Sequence, residues 1–337
     1  MDWFEKLTGF KETGYEETLD RLKVDGERLH SLVNRANYGI GDLELVSLQS
    51  LRERAQSLSK SPGRFKASVV TGDVRRMHRC SENAGALFQV ASQFNLLEMV
   101  SPNVTPEDGV TRYQNDSTQG PACAIAAGAA TIYRNYFVPV EGHKGQTAER
   151  QLDGLAELGA SLSGALKRPT ADLWVMENGY ALCTRPGLDA IARHLRSSTT
   201  EQIDLLRGKL QIGIHRDVEV TEAAGPDRPL VSQVFCSALP VAYTHVASVH
   251  WESFAVLVLE AAYEATMWAS VLNAQRNGSN IVFLTLLGGG AFGNQSGWIH
   301  SSMRRALRLV TDFDLDVRLV SYGTPSRELL AIAKEFR

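Results

Sequence analysis

Long apolar runs, an excess of basic charge and paired cysteines are all missing from this chain of 337 residues, and each absence excludes a class of protein. A bilayer-spanning helix needs about 20 predominantly apolar residues. The longest apolar region here, Phe254 to Leu272, is interrupted by Glu260 and Glu264, which reads as a buried helix and gives no reason to expect a membrane partner. The first residues, MDWFEKLTGFKETGYEE, carry acidic groups early and no apolar segment, so no signal peptide is expected. A formal net charge of −3 argues against a broad nucleic-acid surface, which requires a basic excess. The four cysteines, at 80, 123, 183 and 236, form no CxxC pair. A thiolate zinc site is therefore not expected, and a reduced, cytoplasmic setting fits best. His245, His250 and Glu252 do not match the HExxH spacing that places two histidines on one helical face, so no metal is expected there. No internal repeat and no low-complexity tract is evident.

What remains is the composition of an ordinary globular protein, 44% hydrophobic and 22% charged, long enough for one large core or two modest ones. Residues 1–60 read as a small accessory segment with short alternating runs and a helix over 48–58, closed by the turn cluster SKSPG at 59–63. KASVVTGDV and GALFQVAS read as strands, and Asn95 to Gly120 as a long functional loop. PACAIAAGAATIYRNYF, over 121–137, has the spacing of one helix begun by Pro121. Asn178-Gly179 between two apolar runs is a strong hairpin signal. The last hundred residues alternate strand and helix, which implies parallel pairing, because only a crossover returns the chain in the same direction. The expected fold is α/β: a mixed, largely parallel central sheet flanked by helices, with an N-terminal extension. A single domain over 61–337 would carry an inserted hairpin and helix region around 141–229.

The most informative stretch is LTLLGGGAFGNQSGWI. A buried strand stops at Gly288, Gly289 and Gly290, passes through Ala291, Phe292, Gly293 and Asn294, and runs into a helix. Glycines at a strand's carboxyl end let backbone N–H groups approach a phosphate, and the following helix N-terminus adds positive partial charge. No GK[ST] follows, so this is not a Walker loop. Packing of strand against helix is the plainer alternative. SENAGALFQVASQFN adds Gln89, Ser92, Gln93 and Asn95, amides and a hydroxyl suited to ribose hydroxyls and base edges, or to a buried network.

GGGAFGN after an apolar strand resembles the closing half of macrodomains, nearest to poly(ADP-ribose) glycohydrolase-like members with their GVFGN-type loop. VVTGDV resembles the macrodomain strand ending in Gly-Asp. The resemblance implies that the glycine loop holds the diphosphate of ADP-ribose, that Phe292 packs against ribose, and that Asp73 holds the adenine amino group. It further implies that Gln89, Ser92, Gln93, Asn95, Asp116 and Gln119 line the distal ribose, and that no cofactor is needed. Such glycohydrolases carry paired glutamates. This chain has NDSTQGPAC instead, where Gln119 cannot donate a proton as a carboxylic acid can. Asp116 or Glu82 would then position water or donate the proton. The implied ligand is an ADP-ribose-type small molecule or an ADP-ribosylated macromolecule. Two alternatives stay open: a non-catalytic reader of ADP-ribosylated partners or nucleotide signals, and a hydrolase or transferase using Cys123, placed just inside a helix N-terminus.

Overall fold

A computed structural model describes residues 1–60, 64–276 and 278–337. Part of the SKSPG turn, residues 61–63, lies outside the described residues. Seven strands form the central sheet: β1 (Asp42–Ser47), β2 (Lys66–Thr71), β3 (Leu87–Ala91), β4 (Gln211–Glu219), β5 (Leu230–Cys236), β6 (Ile281–Leu284) and β7 (Asp316–Ser321). Their spatial order is β1-β4-β5-β3-β6-β7-β2. β4 runs antiparallel to both neighbours, and β5, β3, β6, β7 and β2 are mutually parallel. The mixed, largely parallel α/β sheet expected from the sequence is present.

The middle strands β5, β3 and β6 are buried on both faces and largely apolar, whereas β1, β7 and β2 toward the edges are more exposed and more polar. Val282 and Leu284 enter one core layer with Leu87, Val234 and Leu319, whereas Phe283 enters the other with Phe88, Val90 and Phe235. Helices α1 (Leu48–Ala55), α2 (Val74–Arg79), α3 (Gln119–Ala126), α4 (Gly128–Tyr136), α5 (Arg185–Ser197), α6 (Thr200–Gly208), α7 (Ser248–Gln275), α8 (Ser296–Arg308) and α9 (Arg327–Glu335) flank it. α7 is long and apolar enough to cross a membrane by length and composition, yet 78% of its apolar window is buried inside the protein.

Three features differ from the sequence expectation. Residues 1–60 do not form a separate layer throughout: Asp42–Ser47 is the edge strand of the central sheet. The preceding residues form a three-stranded antiparallel sheet whose neighbours Phe4, Leu7 and Phe10 share a core with Met99, Tyr113 and Tyr136. The region around 141–229 likewise contributes β4 to the main sheet. The single helix expected over 121–137 breaks at Ala127 (φ −114°, ψ 58°). There the Gly128 N–H donates to the Thr221 hydroxyl, and a Cβ on Gly128 would lie 2.8 Å from the Trp3 ring, so tertiary contact overrides helical propensity. Within β4, a bulge between His215 and Val218 resets the register, and His215 is fully buried.

The two carboxylates that interrupt the apolar helix explain themselves in three dimensions. Glu264 is 2% exposed and bonds Arg52 of α1 and Arg305 of α8, each at 2.6 Å. Burial opposes its ionisation, but the two guanidiniums hold its carboxyl below the ordinary value. Arg305 is thereby an inter-helix tie. Glu260 bonds Arg207 of α6 at 2.7 Å nearer the surface. Removing one partner of a buried pair strands the other, at a cost of about 3 kcal/mol or more. Glu264→Ala is expected to lose about that much stability in urea titrations, and Glu260→Ala about 1 kcal/mol. Equal losses would show that burial does not set the difference.

Candidate active site

The five parallel strands end along one edge, and a cavity of about 440 Å³ runs along it. Its wall follows the strand order. Gly72 and Asp73 follow β2, Ser321 and Tyr322 close β7, and Thr285, Leu286 and Leu287 lead from β6 into the glycine loop. Ser92 and Gln93 follow β3, and Ala238 follows β5. Neighbouring strands lie about 4.8 Å apart, so four intervals make a trough of about 19 Å. The glycine loop leaves the middle strand and therefore sits at the trough's centre.

The loop is shaped by two left-handed glycines and one asparagine. Gly288 (φ 71°) could not carry a Cβ, which would lie 2.5 Å from that of Ala238. Gly293 (φ 71°) packs against Ala242. Buried Asn294 donates its side-chain amide to the Leu239 carbonyl at 2.8 Å, and its backbone N–H returns to the Gly288 carbonyl at 3.0 Å. Gly288, Gly290, Ala291 and Phe292 line the cavity, and Gly289, Gly293 and Asn294 do not. α8 begins two residues later, at Ser296.

The other sequence candidates divide. Asp73, Ser92, Gln93, Asp116 and Gln119 line the cavity. Asp73 caps α2, one carboxylate oxygen accepting from the Arg75 N–H at 2.8 Å. Asp116 accepts from the Thr118 N–H at 2.8 Å. Gln119 fastens α3 to the end of β3, accepting from the Ala91 N–H and donating to the Gln89 carbonyl. Gln93 accepts from the Met99 N–H and donates to the Tyr180 hydroxyl.

Gln89 and Asn95 are elsewhere. Gln89 points into the sheet–helix core and bonds Thr266 and the Thr285 N–H. Asn95 starts a chain of amides through Gln151 and Asn178 to the Pro102 carbonyl. That chain docks the hairpin turn, Asn178 (φ 46°) and Gly179 (φ 79°), onto the 93–102 loop. Glu82 is exposed in a short 3-10 turn and does not line the cavity. Cys123 is fully buried, and burial pushes its thiol well above the ordinary value, so it is no ready nucleophile.

The residue that sequence reasoning missed is Glu98. It lines the cavity, is 2% exposed, and leaves one buried carboxyl oxygen without a hydrogen-bond partner. The other oxygen accepts from Arg134 at 3.3 Å. Burial pushes the carboxyl up to about 7, against the downward pull of Arg134 and the Tyr113 hydroxyl. A lone glutamate inside the apolar run FNLLEMV was the only local signal. Also unread were Tyr180 and Tyr243, which cluster with Phe292 at ring-centroid distances of 5.1, 5.3 and 5.6 Å. The charged lining residues are Asp73, Glu98 and Asp116; no lysine, arginine or histidine is among the described residues that line it.

No protein-family model matches this chain, and no curated protein does. Among solved structures it is similar to the poly(ADP-ribose) glycohydrolase of Thermomonospora curvata, at 12% identity, with 96% of this chain and 97% of that chain covered and a TM-score of 0.47. It is also similar to the poly(ADP-ribose) glycohydrolase of Deinococcus radiodurans in complex with ADP-ribose, at 10% identity, with 87% of this chain and 93% of that chain covered and a TM-score of 0.45. Overlaps of this size leave the chemistry to rest on the site itself.

Proposed function

We propose that this chain binds an ADP-ribose-type ligand along the trough and hydrolyses the glycosidic bond at its distal ribose, with Glu98 as general acid. The observation that carries the reading is the order of chemistry along the sheet edge. A carboxylate with an oxygen to spare, Asp73, stands at one end and suits the amino group of adenine as donor. Exposed backbone amides at the centre suit a diphosphate. A buried carboxyl with an unpartnered oxygen, Glu98, stands toward the other end. An acid useful near neutral pH must hold its proton there, and burial supplies that condition. Asp116, more open to solvent, suits the orientation of water. A reader module would use the same trough without turnover.

Calorimetric titration with ADP-ribose is expected to show binding. Gly290→Glu is expected to weaken it at least tenfold, since that position has open space for the side chain and puts a carboxylate where the phosphates would lie. No heat at millimolar ligand would overturn the reading. In assays of ADP-ribose release, kcat is expected to fall as pH rises through about 7, where Glu98 loses its proton. Glu98→Gln is expected to lower kcat by about 10²–10⁴-fold and to change ADP-ribose affinity little. An unaltered pH profile in that variant would remove Glu98 from the acid's role.

A further inference from the structure

We propose that the leaving group this site accepts is a planar cation, the guanidinium of an ADP-ribosylated arginine. The inference rests on the reading above and goes on to name the substrate's attachment chemistry.

Three observations bear on the leaving group. Tyr180, Tyr243 and Phe292 pack at interplanar angles of 45–73°, so their rings form a corner of differently facing π surfaces rather than a stack. Tyr180 is buried and its hydroxyl is committed to the Met99 carbonyl, whereas Tyr243 and Phe292 are half-buried and reach toward solvent. Asp116 lines the same cavity as Tyr180 and Tyr243. The cavity's charged lining is wholly acidic among the described residues. Aromatic faces backed by carboxylates attract a cation, and guanidinium most readily of the side-chain cations because it also stacks. A neutral hydroxyl leaving group, as in a serine linkage, would draw nothing from this corner.

The protonatable Glu98 selects further. A pyridinium leaving group departs as a neutral ring and needs no proton. An arginine leaving group needs one on the departing nitrogen. In the proposed step the bond between the ribose anomeric carbon and the guanidinium nitrogen breaks, its electron pair passing to nitrogen. The Glu98 carboxyl protonates that nitrogen, and water oxygen bonds the anomeric carbon. The water's surplus proton passes through Asp116 and solvent and restores Glu98. One water is consumed, and the products are ADP-ribose and an arginine cation. The unpartnered oxygen of Glu98 is the acid atom this step requires.

The test compares release of ADP-ribose from arginine-linked and serine-linked ADP-ribosyl peptides of one sequence, from poly(ADP-ribose) and from NAD⁺, alongside ADP-ribose calorimetry on the same preparation. The expected result is a kcat/KM at least tenfold higher for the arginine linkage than for any other. Tyr243→Leu should lower that preference at least threefold, and Tyr243→Phe should keep it, with thermal melts confirming that both variants fold. Equal or faster cleavage of the serine linkage, poly(ADP-ribose) or NAD⁺ would overturn the proposal, as would a preference that Tyr243→Leu leaves intact. Binding of ADP-ribose with no linkage cleaved would overturn this inference while leaving the binding reading standing. No binding at all would overturn both.

Discussion

The site depends on a guanidinium that water does not reach. Arg134 of α4 is fully buried, and it donates to the Leu96 carbonyl, to the Thr131 hydroxyl and to Glu98. Its guanidinium carbon lies 3.8 Å from the centre of the Phe235 ring on β5. One side chain thus holds the loop after β3, helix α4 and the sheet in a fixed relation. A guanidinium this deep is a poor source of net stability, because its desolvation offsets what its partners supply. What it supplies is position: it occupies one oxygen of Glu98 and leaves the other without a partner in a residue that lines the cavity.

The order of the parallel strands then decides what lies next to what. A sheet whose strands end on one edge gathers residues from positions 73, 92, 98, 116, 288 and 322, which are scattered along the sequence. The described lining contains no cationic side chain, so on the proposed reading a diphosphate would be met by main-chain amides and helix ends. Such donors are fixed by the fold, so their geometry costs little to organise when a ligand arrives.

How much of this could be read in advance follows from how local each feature is. The glycine cluster, the Asn178-Gly179 turn and the apolar β6 are short signals with one structural meaning, and the structure contains each. The parallel sheet was legible because alternating strands and helices admit few topologies. Glu98 was not, because what makes it distinctive is Arg134, thirty-six positions away, and the burial they share. Gln89 and Asn95 illustrate the converse. Their amides are of the right type for a ligand, but a strand's alternation and a distant Gln151 direct them into the protein instead. The break at Ala127 was hidden for the same reason, since it depends on Trp3 and Thr221.

The docked hairpin turn has a consequence for how this protein can be divided. Gly179 sits so close to Asn95 that a Cβ would come within 2.6 Å of its side chain, and the next residue, Tyr180, is already part of the cavity wall. The loop bearing the buried carboxyl is therefore clamped from outside by a segment far downstream in the chain. A fragment ending before that hairpin would lack both clamp and wall, so the trough is a property of the chain's two halves together, and neither half owns it.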